Sequence, residues 1–158
     1  MKGRIAILCV LLAAFGCSKP LASARVRADG VEYSRSYAAS ANDVYYAAKW
    51  AFVKAGLSVA NENLQDGILT TTWLPVSSDS HYVEIFGRPD YGVTNSYYQI
   101  EIKIVPGGGR TEVRALSRVK TIVARLKSSG IKENEVLESI GDALRKGEPT
   151  VTNLGVDE

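Results

Sequence analysis

The sequence predicts one two-layer α+β domain behind a short N-terminal leader. In this domain an antiparallel sheet carries helices on one face, in the order β-α-β-β-β-β-α. Three observations predict it. YYQIEIKIV at 97–105 and RTEVRALSRVKTIVA at 110–124 alternate apolar and polar residues around a Pro-Gly-Gly-Gly turn, the pattern of a half-buried hairpin. Two other segments repeat apolar residues at helical spacing, one stripe each. The chain has 158 residues, 46% of them hydrophobic, enough for one core and too apolar for a disordered chain.

Residues 1–16 read as a signal peptide. Lys2 and Arg4 precede an unbroken apolar run of 11 residues at 5–15. A membrane-spanning helix needs about 20 such residues, whereas a secretory leader needs about this many. Without Lys2 and Arg4 the chain carries 17 basic (19 − 2) and 17 acidic side chains. The apparent basicity therefore belongs to the leader and is no nucleic-acid footprint.

AFGC at 14–17 resembles the lipobox of bacterial lipoproteins, with Ala14 in the place usually held by Leu. The resemblance implies cleavage before Cys17 and acylation of that cysteine, so that the membrane is reached through an N-terminal lipid. The competing reading is ordinary secretion with Cys17 left as a thiol. Ser18 after the cysteine resembles the pattern that directs such proteins to the outer membrane. Cys9 would leave with the leader, so the mature chain would hold no disulfide and no Cys-ligated metal. Residues 17–29, small, polar and basic, read as a lipidated tether.

The domain is expected over 30–147. At 30–39 Val31, Tyr33, Arg35 and Tyr37 share one side of an alternating strand. Ser40-Ala41-Asn42-Asp43 resembles a capping box. Val44, Ala47, Ala48, Ala51 and Ala55 then form a stripe of small residues, and Gly56 caps the helix end. A short strand at 57–61 leads to the Asp66-Gly67 turn and to ILTTTWLPV at 68–76, rich in β-branched and aromatic residues. On its two sides lie Leu69, Thr71 and Trp73, and Ile68, Thr70, Thr72 and Leu74. In the 97–105 strand Tyr98, Ile100, Ile102 and Ile104 point inward. In its partner Val113, Ala115, Ser117 and Val119 do. A helix at 133–146 closes the domain with Leu137, Ile140, Gly141 and Leu144 as its stripe, and 148–158 reads as a flexible tail.

The chemistry-bearing residues are few. His81 is the single histidine. In the polar run SSDSHY it reads as a solvated loop residue, with use in a Ser-His-Asp triad as the competing reading. Glu133, Glu135, Glu138 and Asp142 read as the wet face of a helix. GGG at 107–109 reads as a turn, since no strand–GxxxxGK–helix pattern surrounds it. No cofactor, metal site or catalytic residue is expected, and the chain is not expected to be an enzyme.

Segment 77–96 is too long for a simple turn, which often marks a functional loop. A short strand is expected at 82–86. Tyr82, Phe86 and Tyr91 are the candidate partner-binding residues, because aromatics dominate interface energetics. The competing reading has them packed on their own sheet.

The stretch 42–105 resembles BamC-like lipoproteins of the outer-membrane β-barrel assembly machine. The residues that carry this are the A-G-L corner at 55–57, DGILTTTW at 66–73 and YYQIEIKI at 97–104, in that order behind a lipoprotein leader. The resemblance implies a helix-grip fold, a lipid-anchored place at the periplasmic face of the outer membrane, and a scaffold role without cofactor. The long N-terminal segment by which BamC contacts another lipoprotein has no counterpart here. Two functions follow. One is a non-enzymatic structural or interaction module with a protein partner in the envelope, accessory to outer-membrane protein assembly. The other is a carrier for a lipid or small hydrophobic ligand. A pocket lined by Trp73, Ile100, Ile102 and Leu144 would favour the carrier.

Overall fold

A computed structural model describes residues 24–147. In chain order its elements are strand β1 (Arg25–Tyr37), helix α1 (Ala41–Lys54), strands β2 (Val59–Asn63), β3 (Ile68–Thr71), β4 (Leu74–Pro75), β5 (His81–Ile85), β6 (Arg88–Asp90), β7 (Tyr97–Pro106), β8 (Thr111–Thr121) and β9 (Lys127–Ser128), and helix α2 (Ile131–Lys146). The leader, Cys17 and the tail at 148–158 lie outside the described residues.

The architecture is α+β. Six strands form an antiparallel sheet in the order β1-β8-β7-β3-β2, with β4 continuing along β7 beyond the end of β3. Alternation fixes its faces. Tyr98, Ile100, Ile102 and Ile104 of β7 are buried, as are Val113, Ala115, Ser117 and Val119 of β8. The register sets Ile102 against Ala115 and Ile104 against Val113. A one-residue slip would turn both apolar sets to water.

Both helices pack on each other and on this face. Val44, Ala48, Ala51 and Phe52 of α1 are fully buried, and the alanines let the helix lie close to the sheet. Ala55, expected in the same stripe, is exposed because the helix has ended there. The Ser40 hydroxyl accepts the Asp43 N–H at 3.1 Å, the predicted cap. At the other end Gly56, at φ 70°, donates to Val53 O and Leu57 donates to Phe52 O. That is a Schellman closure, which needs the left-handed residue. In α2, Gly141 faces the Tyr37 ring, whose hydroxyl donates to Leu137 O at 2.5 Å. Burial pushes that phenol up to about 12.

The Asp66-Gly67 turn is tightly bound to the sheet. A Cβ on Gly67 would lie 2.6 Å from Ile104 O, and Ile104 N–H donates to Gly67 O at 2.8 Å.

Three expectations are corrected. Strand pairing begins at Arg25, five residues before the expected start at residue 30. Arg25–Ala28 pair with Thr121–Arg118, and an irregularity before Glu32 reconnects the ladder. The long β8 offers hydrogen bonds as far as Thr121, and an edge strand can use them with polar side chains. Second, 68–76 is not one strand. It breaks after Thr71, whose side chain accepts the Ile100 N–H at 3.0 Å while Gln99 takes the Thr71 carbonyl at 2.8 Å. Leu69 and Thr71 are buried, but Trp73, on the same side and beyond the break, is 36% exposed. Third, 77–96 contains two strands. With β9 they form a second sheet in the order β6-β5-β9.

Candidate interaction surface

The second sheet builds a projecting hairpin. Val83, Glu84 and Ile85 of β5 pair with Asp90, Pro89 and Arg88 of β6, leaving Phe86-Gly87 as a two-residue loop. Both loop residues have positive φ, 49° and 74°, as a type I′ turn requires. The hairpin is tied down at its base. His81 and Tyr82 pair with Ser128 and Lys127. The Lys127 ammonium lies 2.9 Å from Glu84. Lys132 at the start of α2 lies 3.0 Å from Asp79, and Ser129 N–H donates to Ser80 O. The Ser77 hydroxyl and the Lys132 ammonium hold the Asp79 carboxyl below its ordinary range.

The three candidate aromatics separate. Tyr82 and Tyr91 are half-buried and face each other across the hairpin base, ring centroids 5.6 Å apart. Phe86 stands at the tip, 101% exposed. Ile85, next to it in the chain, and Ile122, the residue after β8, are exposed too. Both line a groove of about 360 Å³ with Val83, Val93 and Val123. Sequence reasoning missed Ile85 and Ile122. The one available signal was that Ile122 follows inward-facing Thr121, so an isoleucine falls on the wet face.

Beneath the hairpin lies a buried polar cluster that overturns two expectations. His81 is not a solvated loop residue. It is 1% exposed, because β5 docks it against Tyr98 instead of leaving it in a loop. Neither ring nitrogen has a hydrogen-bond partner, and burial pulls its pKa down to about 4. Glu133 is not on the wet face of α2. It is fully buried in the first turn, where one carboxylate oxygen accepts hydrogen bonds from the Ser117 and Ser128 hydroxyls and the other has no partner. The helix begins at Ile131, and its rotation against β8 turns Glu133 toward Ser117.

The lining expected of a carrier does not come together. Ile100 and Ile102 are fully buried within the continuous core, and Trp73 stands at the surface. The described grooves are lined by surface turns and strand ends.

No family model matches the chain, and no curated protein does. Solved structures do. Norcoclaurine synthase from Thalictrum flavum, in complex with dopamine and hydroxybenzaldehyde, aligns over 81% of this chain and 91% of its own at 14% identity, TM-score 0.42. A DUF4468 family protein from Bacteroides ovatus aligns over 84% and 94% at 12% identity, TM-score 0.34. A TBP-like protein from Parabacteroides distasonis aligns over 73% and 86% at 13% identity, TM-score 0.30. The expectation that the chain is not an enzyme is corrected by the first of these, which is an enzyme of similar extent, and is withdrawn. Likeness at these scores gives the chain neither that enzyme's activity nor its ligands.

Proposed function

We propose that this chain is a bacterial envelope lipoprotein, anchored through an acylated Cys17 at the periplasmic face of the outer membrane. Its domain, a sheet gripping α2, acts as an interaction module through the β5–β6 hairpin end. The observation that carries this reading is Phe86. A phenylalanine fully exposed in a left-handed turn is unfavourable twice over, in hydration and in backbone conformation. A contact outside the folded domain compensates both. Accessory work in outer-membrane protein assembly is the form of this role that the BamC resemblance supports.

The test has two parts. Metabolic labelling with an alkyne fatty acid should tag the wild-type chain and not the Cys17→Ala variant. A photo-crosslinking residue at position 86 should capture an envelope component in intact cells, and the same residue at position 108, in the far β7–β8 turn, should not. Equal labelling of both chains, or equal capture from both positions, sinks the reading.

A further inference from the structure

The apolar tip and the expected tether leave the domain at the same end. Arg25, the first residue of β1, pairs with Thr121. The next two residues, Ile122 and Val123, line the groove together with Ile85. The Arg27 guanidinium donates to Val123 O at 2.9 Å. Seven residues separate Cys17 from Arg25, a reach of about 27 Å when fully extended. A lipid at Cys17 therefore holds this end of the domain toward the bilayer. The β7–β8 turn lies at the opposite end of an 11-residue strand, about 35 Å further away.

Charge points the same way. Arg25, Arg27, Arg88, Lys120 and Arg125 are exposed at this end, and among the described residues none of them forms an ion pair. Of the described acids nearby, two are paired with cations, and Asp90, which lines the groove, is not. Glu84 is bound to Lys127, Glu101 to Arg118, and Asp90 accepts the Gly92 N–H. Exposed apolar side chains ringed by cations fit the interface of an anionic bilayer, where rings settle among headgroups and cations meet phosphates.

We propose that the hairpin end docks on an anionic lipid surface, with Phe86, Ile85 and Ile122 entering the headgroup layer as a second membrane contact beside the lipid. The inference rests on anchoring at Cys17 for its geometry and names the partner of the surface described above.

The test uses the chain purified from membranes and reconstituted in phosphatidylcholine vesicles with or without phosphatidylglycerol. In a Cys9→Ser background, Phe86→Cys carries an environment-sensitive dye, and Gly108→Cys serves as the distal control. Lipid-borne nitroxide should quench the dye at 86 about three-fold more than at 108 when phosphatidylglycerol is present, and high salt should reduce the difference. Arg25→Glu with Arg88→Glu should bring position 86 down to the control. Equal quenching at 86 and 108 in a chain that carries fatty acid overturns the docking and leaves the anchoring intact. A dye shielded in native membranes but not in lipid vesicles shows a protein partner and also overturns it. A chain without fatty acid overturns the anchoring. The vesicle-bound fraction then decides the docking by itself, and no bound fraction overturns both.

Discussion

His81 lies against Tyr98 with ring centroids 4.8 Å apart and 43° between their planes, in a site where neither imidazole nitrogen finds a hydrogen bond. The neutral ring is what this site accepts. Protonation would place a charge among Tyr98, the β9 backbone and the core with no anion in contact.

Stability should therefore fall in acid. The folded pKa, about 4, is below the ordinary 6.5. Between these values the unfolded chain binds the proton and the folded chain does not. The contribution is complete above pH 6.5, is lost as pH falls toward 4, and amounts to about 3 kcal/mol at most. Urea midpoints of wild type and His81→Phe across this range check it. The wild-type curve should drop more steeply, and parallel curves would refute the assignment.

Glu133 holds two buried hydroxyls at once. Glu133→Ala would strand the Ser117 and Ser128 groups without their acceptor and should cost about 2–3 kcal/mol. Glu133→Gln keeps a carbonyl acceptor and should cost less. Chemical denaturation of both variants decides, and equal losses would mean that the hydroxyls find other partners.

Much of the main sheet was legible because its signal is periodic. Every second residue of β7 is apolar and β8 answers with Val113, Ala115 and Val119, and Ser40, Gly56 and Gly67 each mark a backbone need that few residues meet. What failed was not periodic. His81 and Glu133 are polar residues whose burial depends on β5 and β9, a strand of two residues, meeting beneath α2. No local pattern announces a pairing between positions 81 and 128. The start of β1 was hidden similarly, since its polar composition matches a tether and the pairing comes from β8. Of the candidate surface, Phe86 was visible as an aromatic in an irregular stretch. Its companions Ile85 and Ile122 were not, because they come together only when the hairpin folds over the end of β8.

The faces of β7 can be tested directly. Ile102→Asp puts a carboxylate at a fully buried position and should cost several kcal/mol, enough to unfold a domain of ordinary stability. The wet-face control must avoid Glu101, whose carboxylate lies 2.7 Å from Arg118. Exposed Lys103 is suitable, and Lys103→Gln should change stability by less than about 0.5 kcal/mol. Melting temperatures of the two variants should differ widely, and equal values would reverse the strand's faces.

The last prediction sets folding against contact at Phe86. Its φ of 49° at the first loop position, followed by Gly87 at 74°, is a geometry that asparagine tolerates and phenylalanine does not favour. Asn-Gly is the strongest sequence for such a turn. If Phe86 made a contact inside the folded domain, replacing it would cost stability. It makes none that shields it, being fully exposed. Phe86→Asn should therefore raise stability by about 0.5–1 kcal/mol, read as a higher urea midpoint. The same substitution should abolish the envelope contact, read as lost capture by a photo-crosslinking residue placed at position 88. A residue kept at a cost to its own turn is then kept for what it touches outside. A destabilised Phe86→Asn would show that the ring supports the hairpin itself. Undiminished capture from position 88 would move the contact away from the tip, to the groove between Ile85 and Ile122.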